Sequence, residues 1–456
     1  MFDRIRSVEG GPGRPASDPR VLLALWLFAL SNGVTSSREI AQLTVEHRAY
    51  EWIRGGVPID YHLLSDFRSE GAEVLDHALT AMLVGLRNAG VISLEELAID
   101  GLRTRANAAG KSFLTAPQVQ ELQRVVQQSR EEGDKAGLVS ATRSRQEAGR
   151  ARREQEESEQ LARAHSEFEA LAAARAASLR RKGARGLTAA ELLAENGWVA
   201  ATSSDPASHA PEEDDAQLTL CDPPKNDDGE TPASPAGTPP SASPPADPET
   251  SDAAPCTTAP EGTSRYGAKL RVSTTDPKAR VMKMGDGGYR PAYNLQLVTE
   301  TGTGLIVAAL VGTHGSDQPH LEPLLDDVHK RLGVAPTSVL ADGNYFSADN
   351  VARVAQDDGM LYCPPPRGRK SEDRYKPSKK DTKALAAWRS RMATPESQSI
   401  YKRRAQHAEL TNARLRNNDV RQLRTRTPQR IRGELLLHVL AVNMRILGYD
   451  TGGRAA

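Results

Sequence analysis

Cysteine is scarce in this chain, with three among 456 residues, and there is neither a CxxC pair nor a Cys/His cluster. That excludes a disulfide framework and speaks against structural zinc. Aromatic residues make up only 4% and hydrophobic residues 38%, so part of the chain cannot be packed core. Long apolar runs are missing as well. The longest, Val21 to Leu30, is about half of what crosses a bilayer. No A-x-A-like cleavage site follows it, so the chain reads as cytoplasmic and without a membrane partner. Net charge is absent too, at +0, but this zero is a sum of opposites. Ser204 to Gly262 holds 13 acids and one lysine, whereas Cys363 to Gly433 holds 20 bases and 6 acids. A strongly basic end is the footprint of a polyanionic partner.

A chain of this length carries two or three domains. Residues 1–95 read as helical. Asp18-Pro19 opens a first helix as cap and first residue, and Ser31-Asn32-Gly33 ends it. A second helix starts at Ser36 or Ser37 with Glu39 placed for a capping box. A third runs from Asp60 through Phe67. Short helices on tight turns fit a helix-turn-helix-like DNA-binding unit, and equally a plain helical bundle. Residues 96–115 hold a first strand, Glu96 to Asp100, which ends on a carboxylate. Residues 116–200 form a charged helical insertion, a hairpin with mostly solvated faces. Residues 201–265 form an acidic Pro/Ser-rich linker that buries too little apolar area to offset ordering entropy and reads as disordered. In 266–456, strands at 292–299, 304–311, 338–341 and 360–363 alternate with helices at 318–332 and 347–357. A basic loop from Arg367 to Lys380 and two C-terminal helices follow. Strands alternating with helices give an α/β class.

Asp100 and Asp342 each close a β-rich apolar run and precede a glycine, at the strand ends where open α/β sheets keep their ligand sites. Either aspartate alone also fits a turn or a cap. On the helix around Glu409, residues Lys402, Glu409 and Arg416 stand seven apart and share a face, with Asn412 close by. An acid flanked by cations can hold a metal while its neighbours hold phosphates; ordinary surface ion pairs have the same pattern. Three carboxylates on rigid elements are what a two-Mg²⁺ phosphodiester site needs.

These stretches resemble the DDE transposases of bacterial insertion sequences, in the branch with a Tyr/Arg/Glu/Lys signature in the last catalytic helix. The resemblance lies in Ala98 to Ala108, Gly288 to Gln296, Leu340 to Ser347, Tyr401 to Asn417, Arg432 to His438, and in the N-terminal Val34 to Ile40 and Gly55 to Asp60. It implies an RNase H-like core interrupted by the hairpin and the disordered tract, with Asp100, Asp342 and Glu409 as both catalytic and metal-binding triad. Mg²⁺ is the implied cofactor, with Mn²⁺ as a substitute. The implied activity cuts DNA at the terminal inverted repeats of the protein's own element and joins the 3′ ends to target DNA, in a homodimer or larger assembly on DNA within the bacterial nucleoid. An inactive or domesticated DNA-binding protein of this fold, or a metal-dependent nuclease, shares the same residues. DNA contacts are expected from Arg38, Arg68, Arg103, Arg105, Lys402, Arg404, Asn412 and Arg416, and from the basic loop. The sequence departs from the family twice. Family spacing from arginine to glutamate points to position 408, here alanine, so that Tyr401 and Arg404 are one residue out of register with Glu409. Arg416 replaces the lysine that follows the acid, keeping the charge and adding a bidentate grip on phosphate.

Overall fold

Residues 17–137, 145–181, 188–198, 270–365 and 374–452 are described by the computed structural model. The acidic linker at 201–265 and the first basic-loop residues, Arg367 to Lys370, lie outside the described residues.

Five helices lead. Helix α1 (Pro19–Ser31) begins as its sequence dictates, with the Asp18 carboxylate accepting the Arg20 N–H and Pro19 in the first turn. Helix α2 (Ser37–Glu46) is capped by the Ser36 hydroxyl, which accepts from Glu39 N–H. Helix α3 (Arg48–Arg54) ends on Gly55, whose φ of 60° fits the left-handed cap. Helix α4 (Tyr61–Glu70) is capped by Asp60, and α5 (Ala72–Asn88) follows after Gly71 alone. Helices α3 and α5 go beyond the three helices expected. The first buries only Tyr50 and has no amphipathic stripe; the second continues α4 across a single residue with no strong breaker.

Strand β1 (Glu96–Arg105) is twice the length expected, so Asp100 sits within it and not at its end. The reason is pairing: β1 runs antiparallel to β5 from Leu97↔Glu300 to Arg105↔Ala292, and Leu102 and Thr104 continue the inward alternation. After β2 (Phe113–Leu114) come the long helices α6 (Ala116–Gly137) and α7 (Arg145–Arg181), then α8 (Ala189–Glu195). The hairpin has a thin apolar seam of its own, with Val119, Val126, Leu161, Ala164 and Phe168 buried in it. Strand β3 (Val272–Ser273) then pairs with β2. Next come β4 (Arg280–Lys283), β5 (Tyr289–Glu300), β6 (Ile306–Gly312), α9 (Leu321–Leu332), β7 (Ser338–Ala341), α10 (Ala348–Gln356) and β8 (Met360–Tyr362). Helices α11 (Lys383–Met392), α12 (Pro395–Asn417) and α13 (Pro428–Gly452) complete the order.

The result is a mixed α/β arrangement. The main sheet runs β4-β5-β1-β7-β8, with β6 also on β5. Strands β5 and β6 are antiparallel neighbours; β1, β7 and β8 are parallel. Helix α12 packs across β1, β5, β7 and β8. Helix α13 packs against β6 on one side and α1, α4 and α5 on the other, and is buried around its circumference (Ile431, Leu435, Leu436, Leu437, Leu440, Val442) as a helix between two layers must be. Two details fix it. The buried Asn443 amide accepts from Ile306 N–H and donates to Ile306 C=O, both at 2.8 Å, closing the open edge of β6. At Gly433 a Cβ would lie 2.4 Å from the Arg68 carbonyl oxygen, so glycine lets α13 cross the end of α4. No helix among the described residues is long and apolar enough to cross a membrane.

One buried group in α13 makes this packing pH-sensitive. Burial holds the His438 imidazole down at about 4, against an ordinary 6.5. A histidine lowered in the folded state contributes its full stability above 6.5 and loses it as pH falls towards 4. Over that window the chain should lose up to about 3 kcal/mol from this group. Denaturant unfolding at pH 7, 5.5 and 4 should show a flatter acid limb for His438→Leu than for wild type; superimposable limbs would contradict this.

Candidate active site

The parallel ladder between β1 and β7 runs from Glu96↔Ser338 to Ile99↔Ala341. Asp100 and Asp342 are the next residues on their strands, so this register sets them side by side, about one strand spacing (~4.8 Å) apart in backbone. Asp342 also caps the short turn that follows, its carboxylate accepting Gly343 N–H and the Asn344 amide.

Helix α12 supplies the other wall. The Asp100 carboxylate accepts from Gly101 N–H at 3.0 Å, from Arg404 Nη2 at 3.2 Å and from Asn412 Nδ2 at 3.0 Å. The same Arg404 nitrogen lies 4.0 Å from Asp342 Oδ2. Burial pushes the Asp100 carboxyl up from the ordinary carboxylate range, and the Arg404 guanidinium pulls it back. A single cation is thus shared by two acids at the sheet surface, the arrangement that lets partly buried carboxylates stay charged.

Glu409 is placed differently. The inner face of α12 is made by Ala408, Thr411, Asn412 and Leu415, all buried, with Arg404 half-buried beside them. Glu409 is one position round the helix and exposed. Among the described residues, no three Asp, Glu, His or Cys side chains stand close enough together to hold a metal ion. Lys402 and Arg416 are exposed on the stripe they share with Glu409. Ala408 is therefore the α12 position that meets the sheet, as the family spacing anticipates, while Glu409 stands at the rim next to Asn412.

The donor chemistry here fits a hard divalent cation. Asp100 and Asp342 are oxygen donors that already face one positive charge, and the buried Asn412 Oδ1 has no hydrogen-bond partner among the described residues.

Behind the two aspartates lies a polar network that the sequence reading missed. A Cβ on Gly101 would sit 2.6 Å from Asp317 Oδ1, 2.8 Å from Gln296 Nε2 and 2.9 Å from Asn294 Oδ1. Asp317 accepts from Asn294 Nδ2 at 2.7 Å and from Gln296 Nε2 at 2.9 Å, and Tyr345 donates its hydroxyl to Gln296 Oε1. Tyr345 stands in the turn that begins at Asp342, so the network ties the floor beneath Asp100 to the turn beside Asp342. A signal existed: Asn294 and Gln296 alternate with apolar Leu295 and Leu297 in a strand that is buried on both faces. For Asp317 there was none. Cys363, buried nearby, is a packed thiol that burial pushes up to about 12.

The remaining expected DNA-contact residues are dispersed. Arg103 is committed to structure, donating to Lys283 C=O at 2.8 Å and Gly315 C=O at 2.9 Å. Arg105 is exposed at the end of β1. Arg38 lies over the Tyr61 ring at 5.1 Å and Arg68 over the Trp26 ring at 5.2 Å.

The shared cation makes a testable contribution. Arg404→Met removes it and leaves Asp100 partly desolvated, which should cost about 2 kcal/mol at pH 7. Because a carboxyl pushed upwards recovers its neutral form as pH falls, the penalty should shrink at pH 4. Paired denaturant melts at both values check this, and an equal penalty at both would place the effect in packing alone.

Two family models match this chain. Residues 259–444 match the Transposase DDE domain, and residues 2–70 match a Transposase domain (DUF772). Asp342 and Glu409 lie inside the first match; Asp100 lies between the two, where α6, α7 and α8 separate β1 from the rest of the sheet. No curated protein and no solved structure matches the chain. With paired aspartates on neighbouring strands, an α12 wall and both transposase domains in order, the chain belongs to the DDE-type transposases of insertion sequences, enzymes that act on DNA.

Proposed function

We propose that this transposase cuts DNA at the ends of its own insertion sequence and joins the 3′ ends to target DNA by phosphoryl transfer, in the Tyr/Arg/Glu/Lys branch of the family, on an RNase H-like core. The adjacency of Asp100 and Asp342 around one cation carries the reading. An antiparallel β6-β5-β1 portion continued by parallel β7 and β8, with α9 and α10 as crossovers, supports the core assignment.

In this mechanism Asp100 and Asp342 hold Mg²⁺, or Mn²⁺ in its place, and Glu409 completes the set from the rim of α12. Bound there, a pair of such ions supplies activation of the attacking oxygen and stabilisation of the leaving oxygen. Arg404, which lies against both carboxylates, would supply a guanidinium for a non-bridging oxygen of the scissile phosphate. Asn412 orients Asp100 through its amide. Lys402 and Arg416, exposed on either side of Glu409, hold flanking phosphates. Glu409 stands about 100° round α12 from Ala408, so bringing it inward requires a rearrangement of this helix segment. The placement of Ala408 on the inner face favours a second reading, a DNA-binding copy with little turnover.

The test uses plasmid DNA carrying the element's ends, with Mg²⁺, scored for both cut and joined products. Wild type should give both, and Asp342→Asn and Glu409→Gln should each lower the rate about 10²–10³-fold. Cutting without joining would make the enzyme a nuclease. No turnover in wild type would favour the DNA-binding reading, and undiminished turnover in Glu409→Gln would move the third ligand elsewhere.

A further inference from the structure

Away from the two aspartates, a second basic feature is built where the N-terminal helices meet the segment linking α12 to α13. Two adjoining cavities of about 540 and 300 Å³ share Asn107 and Arg424 in their walls. Six arginines line them: Arg68, Arg105, Arg421, Arg424, Arg426 and Arg430. Three acids, Asp66, Glu70 and Asp419, line them too, so the excess is cationic. Asp419 is already paired with Arg424 at 3.0 Å. Arg105, Arg421 and Arg430 are exposed, and no hydrogen bond or ion pair engages their guanidinium groups among the described residues.

The linking segment is held rigid. The buried Glu434 carboxylate accepts Arg424 N–H at 2.9 Å, Thr425 N–H at 2.9 Å and the Thr425 hydroxyl at 2.6 Å. A short parallel bridge joins Arg105 to Gln422, with Leu423 N–H donating to Arg105 C=O at 2.8 Å. Two non-glycine residues, Asp419 at φ 63° and Thr427 at φ 69°, bend its ends. For a β-branched threonine that conformation is strained, and such strain gathers where a surface is shaped for a ligand. The free guanidinium of Arg421 on this fixed segment, with those of Arg105 at the end of β1 and Arg430 in α13, offers donors for phosphodiester oxygens.

We propose that this cleft is a second DNA-backbone site, taking phosphates of the element-end duplex that is being cut. The proposal rests on the cutting reading above and adds the path of the duplex. Strand β1 leads from one site to the other: Arg105 is five residues beyond Asp100, about 16 Å at the usual rise, and this odd step turns its side chain to the opposite face of the sheet, so the duplex reaches both sites by passing the end of β1. The α4 wall, contributed by the N-terminal helices, makes the same duplex touch both matched transposase domains.

The experiment measures binding of the full-length protein to a duplex carrying the element's end, without divalent metal, as salt rises from 50 to 200 mM, together with phosphate-ethylation interference. The wild type is compared with Arg421→Ala/Arg430→Ala and with Arg421→Lys/Arg430→Lys. Each phosphate contact contributes about 0.9 to the log–log salt slope. The alanine pair should flatten it by about 2, so that affinity across this range changes about tenfold less. It should also erase interference at phosphates away from the cut while sparing the cut position. The lysine pair should keep both. An unchanged slope and an unchanged interference pattern would overturn the proposal. Since metal-free binding is read independently of turnover, a catalytically silent wild type with the predicted slope change would sink the cutting reading and leave this site standing.

Discussion

The parallel register of β1 on β7 is the constraint on which the site depends. It places Asp100 and Asp342 at the same level on adjacent strands, and two carboxylates so placed repel unless positive charge lies between them. Arg404 supplies that charge. A one-residue slip of either strand would turn one aspartate to the opposite face of the sheet and dissolve the pair. The neighbours serve this geometry: Gly101 leaves room for Asp317, Gln296 and Asn294 beneath the strand, and Tyr345 links that floor to the turn after Asp342.

A long insertion between the first and second main-sheet strands does not disturb this register, and the reason is local. Strands β2 and β3 pair Phe113 with Ser273 and Leu114 with Val272, so the chain leaves and re-enters through a closed neck. Helices α6 and α7 bury their own thin seam, and the buried Glu167 on α7 is paired with Lys278 and Arg280 next to the neck. The described part of the insertion is therefore anchored where it meets the core.

Much of this was legible in the sequence, for identifiable reasons. Asp18-Pro19, Ser36 and Asp60 are caps whose chemistry is local, and the helices begin where they do. Asp100 and Asp342 follow apolar runs that have no role except as buried strands. What was not legible depends on neighbours distant in sequence. The extension of β1 past Asp100 comes from β5, nearly two hundred residues later in the chain. The orientation of α12 could not be read from the seven-residue spacing of Lys402, Glu409 and Arg416. That stripe is real, but the face that packs is made of small and polar residues, Ala408, Thr411 and Asn412, with Leu415 as its one large apolar member. A helix with so weak an apolar stripe does not announce which side is inside. The arginine cleft is hidden for a similar reason, since its walls come from α4, the end of β1 and the start of α13.

In the proposed function Asp100 and Asp342 act as one cation site. Mn²⁺ binding to the DNA-free protein, followed by electron paramagnetic resonance, addresses it without reference to turnover. Asp100→Asn and Asp342→Asn should each weaken Mn²⁺ binding at least tenfold, and the double variant should lose little more, because the second acid has nothing left to share. Independent and additive losses, or wild-type binding in either single variant, would contradict it.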